Sequence, residues 1–149
     1  MMHIICRKLI ATYFTAALIG IFFGFLIAID SDSERAVSFY GMSLVVLYYG
    51  GIIILLYGNA TSFLSEYINK RWLRDQTHTF LLFHLLFGIG FGVFFNLKDV
   101  VLLGMLGALI YALTDRLLYK RREESKIAFV FLLSPPAVFL LGIVFFWVT

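Results

Sequence analysis

Five stretches of the chain are almost purely apolar, and short polar segments separate them. A helix rises about 1.5 Å per residue, so about 20 apolar residues cross the roughly 30 Å of hydrocarbon in a bilayer. The third stretch is the shortest, and it gains length if its helix begins near Gln76 and ends near Leu97. The pattern predicts an all-α, single-domain membrane bundle over residues 1–149, with five transmembrane helices at about 9–29, 39–58, 79–95, 100–118 and 127–148.

The composition agrees with this pattern. Hydrophobic residues make up 62% of the chain and charged residues only 14%, whereas a typical globular domain has about 25% charged residues. A membrane β-barrel needs at least about eight strands of alternating polarity, but these stretches are continuously apolar and too few. Helices are therefore the predicted spanning elements.

Basic residues cluster in alternate connecting segments. Ten of the twelve Lys and Arg residues lie before the first stretch, between the second and third, and from the end of the fourth to the start of the fifth. The positive-inside rule places such segments in the cytoplasm. We therefore expect a cytoplasmic N-terminus and an external C-terminus in the cell membrane. The net charge of +3 indicates contact with anionic lipid headgroups rather than with nucleic acid.

Small residues recur at every fourth position in three of the predicted helices. Burial of apolar surface cannot drive helices together in a bilayer, because lipid is equally apolar, so close backbone approach becomes important. We expect these rows to form helix crossings within one bundle, and association between two copies is the alternative. The predicted packing residues are Gly20, Gly24, Gly88, Gly92, Gly104 and Ala108.

Three predicted helices carry polar side chains at a similar depth near their cytoplasmic ends. In the segment FHLLFGIGFG, His84 shares a helix face with Gly88 and Gly92. This face is expected to contact another helix, where the ring nitrogens can be satisfied. The predicted polar intramembrane cluster consists of Ser62, Glu66, His84 and Asp115.

The polar cluster has two interpretations. In the first, the carboxylates end their helices and pair with His84, Arg116 or the basic loops, while His84 makes one interhelical hydrogen bond. In the second, the cluster relays protons or cations, because ionisable groups inside a span often mark a pathway. The sequence favours the first, since the charged groups occupy only the cytoplasmic third of the predicted bundle.

The last predicted helix contains the sequence SPP at residues 134–136. Two adjacent prolines remove two backbone donors and displace the carbonyl groups that would have accepted from them. We expect a kink or a broken turn at this point.

Few residues suit catalysis or metal binding. Cys6 is the only cysteine, which excludes an intrachain disulfide and a thiolate metal cluster. The chain contains neither a G-x-S-x-G nor an H-E-x-x-H motif. The connecting segments are too short to hold a folded catalytic domain. We therefore expect no enzyme activity, no cofactor and no metal.

Two segments together resemble a known group of proteins. YGNATSFLSEYI followed by FHLLFGIGFG is similar to the small, uncharacterised multi-pass membrane proteins of Gram-positive bacilli. In those proteins a tyrosine-glycine and serine-rich helix end precedes a helix with histidine and glycine. The resemblance covers Tyr57 to Gly92 and implies a bacterial cytoplasmic membrane. Members mostly have four spans, so a four-helix bundle is the alternative to five.

The sequence favours a non-catalytic membrane protein that acts as an accessory or regulatory partner of another membrane component. The alternative is a minimal transporter or channel for a small ion or solute. Such a channel would need several copies, because five thin helices hardly enclose a path. The expected partners are the lipid bilayer and either a second copy or another membrane protein.

Overall fold

The structure, a computed structural model, describes residues 4–30, 35–72, 76–94, 98–120 and 125–148. Every regular element in this part of the chain is helical, which confirms the predicted all-α fold. A π-helical segment, Ile54–Gly58, joins the second helix to the third. The helices are α1 (Ile4–Ile29), α2 (Arg35–Ile53), α3 (Asn59–Trp72), α4 (Thr77–Phe94), α5 (Lys98–Lys120) and α6 (Ser125–Val148).

Within the described residues, four helical stretches are long and apolar enough to cross a membrane. These are α1, the 38 residues that run continuously from Arg35 to Trp72, α5 and α6. α4 is also apolar, but its apolar stretch is shorter than the other four. The helices therefore fit a membrane protein.

The second helical stretch is longer than the sequence predicts. The predicted span ends near Gly58, but the helix continues through the π segment and α3 to Trp72. The prediction ended the span where polar residues begin and assigned them to a connecting segment. In the structure these residues form α3, and its polar face is buried inside the bundle. The buried residues of α3 are Thr61, Ser62, Ser65, Glu66 and Asn69.

Hydrogen bonds from the backbone and from two side chains stabilise the π turn through its carbonyl groups. The backbone N–H of Asn59 donates to Ile54 O, five residues back, as a π turn requires. The side-chain amide of Asn59 donates to Leu55 O at 2.8 Å. Thr61 Oγ1 donates to Gly58 O at 3.0 Å. The extra residue in the turn rotates α3 relative to α2 by about 100°, which is the rotation per helical residue.

α1 lies at the centre of the bundle and contacts α2, α5 and α6. Its glycines allow α2 to approach closely. A Cβ atom at Gly20 would lie 2.8 Å from Ser43 O, and one at Gly24 would lie 2.6 Å from Phe39 O. Both distances are shorter than carbon and oxygen tolerate, so a larger residue would push the two helices apart.

α4 packs against α5 through backbone contact between two other glycines of the predicted rows. A Cβ atom at Gly88 would lie 2.6 Å from Gly104 O and 2.9 Å from Ala108 Cβ. A Cβ atom at Gly104 would lie 2.7 Å from Gly88 O. The crossing therefore requires glycine on both helices. Gly92 belongs to α4, but its surroundings lie outside the described part of the structure.

An aromatic group joins α1, α2 and α6 at one end of the bundle. The Phe39 ring lies 5.5 Å from that of Phe139 and 5.4 Å from that of Phe146, centroid to centroid. Ala28 is fully buried in the same cluster. Because Ala28 and Arg7 are at opposite ends of α1, about 30 Å of helix separates the aromatic end from the start of the chain.

At SPP the sequence predicts a kink or a broken turn, and the structure has no broken turn. α6 is one helix from Ser125 to Val148, with Pro135 and Pro136 inside it. Proline removes a backbone donor, but its fixed φ angle of about −65° remains compatible with a helix. The turns on either side therefore keep α6 continuous.

Candidate functional site

Two cations from α1 meet two carboxylates, one from α3 and one from α5. Arg7 Nη2 lies 2.9 Å from Glu66 Oε2, and Arg7 Nε lies 2.6 Å from Asp115 Oδ1. Lys8 Nζ lies 3.2 Å from Asp115 Oδ2 and 3.5 Å from Glu66 Oε2. Ser62 Oγ accepts from Lys8 Nζ at 2.6 Å and donates to Asp115 Oδ2 at 3.0 Å. We call these five residues the ionic cluster.

The ionic cluster is buried. Lys8 is only 2% exposed, Asp115 1% and Arg7 5%. Removing a single ion from water costs several kcal/mol, so each charge here depends on its partners. At the edge, the half-exposed Lys70 places Nζ 2.9 Å from Glu66 Oε1. The cluster is thus internally paired and touches the surface through Lys70.

Tyr119 lies beside three cations. Its ring centroid is 5.1 Å from Arg7 Cζ, 5.2 Å from Lys70 Nζ and 5.1 Å from Arg116 Cζ. The negative face of an aromatic ring attracts cations at such distances. The ring therefore offsets part of the positive charge of these three side chains.

The structure places the four residues of the predicted polar cluster in two groups. Ser62, Glu66 and Asp115 lie together in the ionic cluster. Among the described residues, His84 makes no hydrogen bond or ion pair with Glu66 or Asp115. Each carboxylate is instead within ion-pair distance of both α1 cations, which satisfy it before His84 can.

Pairing of the carboxylates with the basic segments was expected, and their partners Arg7, Lys8 and Lys70 all belong to those segments. The sequence did not show that Arg7 and Lys8 would be the main partners. Arg7 and Lys8 precede the first apolar stretch, so hydropathy assigns them to a cytoplasmic segment, whereas α1 already begins at Ile4. One signal could have identified them. Lys8, Thr12 and Thr15 follow one another at helical spacings of four and three, which gives α1 a polar stripe.

A second polar layer lies next to the ionic cluster. Tyr111 OH donates to Asn59 Oδ1 at 2.6 Å, and Asn59 Nδ2 donates to Thr12 Oγ1 at 3.3 Å. These bonds connect α5, the start of α3 and α1. Asn59 therefore stabilises both the π turn and the contact among three helices.

His84 is buried on α4, with 2% of its surface exposed. Its Nδ1 lies 3.0 Å from Phe80 O. A carbonyl oxygen only accepts, so Nδ1 carries a proton, and Nε2 is an acceptor when the ring is neutral. Nε2 is buried and has no hydrogen-bond partner among the described residues. The ring stacks on Tyr111, with centroids 5.8 Å apart.

An apolar cavity of about 170 Å³ lies between the two close helix pairs. α2 and the π segment form one wall, α4 and α5 form another, and α1 contributes Ala16 and Ile19. His84 belongs to the wall at the end nearest the polar layer. Ile53, also in the wall, is 44% exposed, so the cavity extends to the outer surface of the bundle.

Tyr57→Phe is expected to lower the free energy of unfolding by about 0.5–1.5 kcal/mol. The hydroxyl of Tyr57 donates to Phe87 O at 2.8 Å and so connects the π segment to α4. The substitution removes this bond but keeps the ring beside Phe91. Unfolding of the detergent-solubilised protein by SDS, followed by circular dichroism, measures the change. Tyr49→Phe, at an exposed position of α2, is the control, and an equal loss there would contradict the assignment.

Within the described residues, no group of three or more His, Cys, Asp and Glu side chains is placed to hold a metal ion. The two carboxylates of the ionic cluster are engaged by cations, and the cavity beside them is lined mainly by apolar side chains. Comparison with known protein families, curated proteins and solved structures gives no match. The ionic cluster and the cavity are therefore the features on which a function can be based.

Proposed function

We propose that the chain is a non-catalytic integral protein of the bacterial cytoplasmic membrane, and that it acts as an accessory or regulatory partner of another membrane component. One observation carries this proposal: the cations and carboxylates of the ionic cluster pair with one another inside the bundle. Arg7 and Lys8 each pair with both Glu66 and Asp115 inside the bundle. Such a network fixes α1, α3 and α5 to one another and favours a binding protein over a conducting one.

The distribution of polar groups also supports this proposal. A pathway for protons or cations needs exchangeable polar groups through the depth of the bilayer. The paired charges lie at the end of the bundle where α1 begins, and the adjacent cavity is mainly apolar. An ion that left the cluster would therefore enter a poorly solvating space.

In the proposed orientation five helical stretches span the membrane: α1, the continuous stretch from Arg35 to Trp72, α4, α5 and α6. The N-terminus lies in the cytoplasm and the C-terminus outside. The basic connecting segments support it. In a Cys6→Ser background, a single cysteine placed at either end tests it with a membrane-impermeant maleimide on intact cells. We expect labelling at the C-terminal cysteine only, and labelling of the N-terminal cysteine alone or of both ends would contradict this topology.

An oligomeric transporter or channel is the second candidate function. The observation that favours it is His84 Nε2, a buried acceptor without a partner in the wall of a cavity that reaches the outer surface. Reconstitution in sealed proteoliposomes separates the two functions. The accessory function predicts that neither protons nor alkali cations cross faster than in protein-free vesicles, with an added ionophore as the positive control.

The His84→Ala variant sharpens the comparison. A transporter would lose flux while remaining folded and abundant. An accessory protein would show no flux in either form, and the variant would change its abundance or its copurification with a membrane partner under mild detergent. Specific flux that depends on His84 would overturn the accessory function.

A further inference from the structure

Two tyrosines on the outside of α2 lie at the centre of its predicted span. Tyr48 is 65% exposed and Tyr49 63%, and their rings meet edge to face with centroids 5.2 Å apart. Tyrosine usually lies at the edges of a bilayer, where its ring contacts hydrocarbon and its hydroxyl reaches water or headgroups. A hydroxyl that faces lipid in the middle of a span reaches neither.

Contacts between α1 and α2 fix the depth of the two rings. A Cβ atom at Gly20 would lie 3.3 Å from Leu47 N, and one at Gly51 would lie 3.7 Å from Ala16 Cβ. The rings are therefore level with the part of α1 between these two contacts. The charge-free stretch of α1, residues 9–29, is about 31 Å long, so both tyrosines belong to the middle third of the proposed span.

Neither hydroxyl has a partner inside the copy. Among the described residues, no hydrogen bond involves the hydroxyl of Tyr48 or Tyr49. The interior Tyr57 differs, because its hydroxyl donates to Phe87 O at 2.8 Å. Helical side chains lean toward the N-terminus of their helix, which directs the two exposed rings away from the ionic cluster. An unpaired hydroxyl in hydrocarbon is costly, so a partner outside the bundle is favoured.

A second copy supplies what these hydroxyls lack. A hydroxyl both donates and accepts, so two hydroxyls satisfy each other. Copies with the same orientation in the membrane present the same residues at the same depth, and a two-fold axis along the membrane normal brings them together. A helix of a different protein would need its own polar group at this depth, whereas a second copy has one already.

The positions of the two rings around α2 suit such a contact. Successive residues of a helix are about 100° apart, so Tyr48 and Tyr49 flank a line through the exposed Val45 and Ile52. Around the two-fold axis this line meets itself, and the Tyr48 side of one helix faces the Tyr49 side of the other. The e and g positions that flank the seam of a parallel coiled coil meet in a similar way.

Other surfaces are less suited to pairing of copies. The glycines at the α1–α2 and α4–α5 crossings are already used inside the bundle. α6 is also exposed, but its exposed side chains at mid-helix, such as Leu133 and Val138, are apolar and suit lipid. On the α2 face, Gly41 lies two turns before Tyr48, and a Cβ atom there would meet no other atom within 4 Å, so a second helix can approach.

We propose that the exposed face of α2 is the interface of a parallel two-fold dimer, in which Tyr48 of each copy forms a hydrogen bond with Tyr49 of the other at the centre of the bilayer. The inference goes beyond the accessory function, and it rests on the membrane location and the shared orientation proposed above. The dimer contains two such hydrogen bonds, one on each side of the Val45–Ile52 line.

Energy transfer between labelled copies tests self-association. Cys6→Ser protein with a single cysteine added at the C-terminus carries the donor or acceptor dye, and it is reconstituted in liposomes over a range of protein-to-lipid ratios. A monomeric membrane protein of similar size gives the transfer caused by random proximity. We expect transfer above that level, which rises with protein density and saturates with two copies per complex.

Matched tyrosine variants test the hydroxyls. Tyr48→Phe combined with Tyr49→Phe removes both hydroxyls and keeps both rings. An interhelical hydrogen bond contributes about threefold to affinity, so the loss of two should weaken dimerisation about tenfold. SDS unfolding of the dilute monomer in detergent is expected to stay unchanged, because neither hydroxyl bonds inside the copy. Tyr40→Phe, 50% exposed near the start of α2, is the control and leaves dimerisation unchanged.

Disulfide cross-linking tests the face. In the Cys6→Ser background, Val45→Cys and Ile52→Cys each place a thiol opposite its equivalent in the second copy. A membrane-permeant oxidant is expected to link both variants into dimers. Val138 in α6 is 44% exposed, against 48% for Val45 and 43% for Ile52, so Val138→Cys is a matched control that is expected to remain unlinked.

Three results would overturn the inference: transfer no higher than random proximity, a dimer whose affinity the double tyrosine variant leaves unchanged, or links through Val138→Cys alone. The first would assign the α2 face to lipid or to a different membrane protein. Flux through an intact dimer would overturn the accessory function and keep the interface. A monomer without flux would overturn the interface and keep the accessory function.

Discussion

Asp115→Asn is expected to lower the free energy of unfolding by about 3–5 kcal/mol, the cost of breaking a buried ion pair from one side. Asp115 is 1% exposed and lies within ion-pair distance of both Arg7 and Lys8. Without it, two buried cations share Glu66 with Lys70. Unfolding in mixed detergent and SDS micelles measures the loss, and reduced abundance in the native membrane accompanies it.

A double substitution provides the control for this result. Lys8→Met removes one cation and keeps most of the aliphatic side chain, so Lys8→Met combined with Asp115→Asn restores the charge balance of the cluster. We expect the double variant to lose at least about 1.5 kcal/mol less unfolding free energy than the sum of the losses in the two single variants. Interaction energies of about 0.5–3 kcal/mol are usual for residues in contact. Strict additivity would show that the two side chains do not act as a pair.

Gly88→Ala is expected to lower the free energy of unfolding by about 1–3 kcal/mol, as overpacking of a close contact usually does. The added methyl group would lie 2.6 Å from Gly104 O and 2.9 Å from Ala108 Cβ, so α4 has to move away from α5. The same SDS titration measures the effect.

Gly90→Ala is the matched control for the crossing. Gly90 lies on the same helix, but a Cβ atom there would meet no other atom within 4 Å. Alanine has the higher helix propensity, so this variant is expected to gain up to about 1 kcal/mol. A similar loss in both variants would mean that the helix backbone, rather than the α4–α5 contact, is sensitive to substitution.

Hydropathy predicts the helices of this protein well, because a long apolar stretch in lipid has to pair its backbone polar groups internally and a helix does so. The spacing of small residues also indicates which faces of α1, α4 and α5 approach other helices, since only glycine allows backbone contact. Helix ends are less well predicted. α1 begins before its apolar stretch and α3 extends past one, because charged residues remain helical when another helix supplies their partners.

The ionic cluster was predicted only in part for the same reason. Glu66 and Asp115 are identifiable as carboxylates at the ends of apolar stretches, but their partners depend on how α1 lies between α3 and α5. The cavity was not predicted at all. A void depends on the angles at which helices cross and on the extra residue in the π turn, and neither follows from the order of polar and apolar positions.

The separation of the ionic partners along the chain has a consequence for biosynthesis. Lys8 and Asp115 are 107 residues apart, and the ribosome makes the cations long before it makes this counter-ion. At about 5–20 residues per second, several seconds pass in which the cations of α1 have only Glu66, water, lipid phosphate or the insertion machinery to neutralise them. A nascent chain that stops before α5 therefore has Glu66 as the one carboxylate of the cluster for both α1 cations.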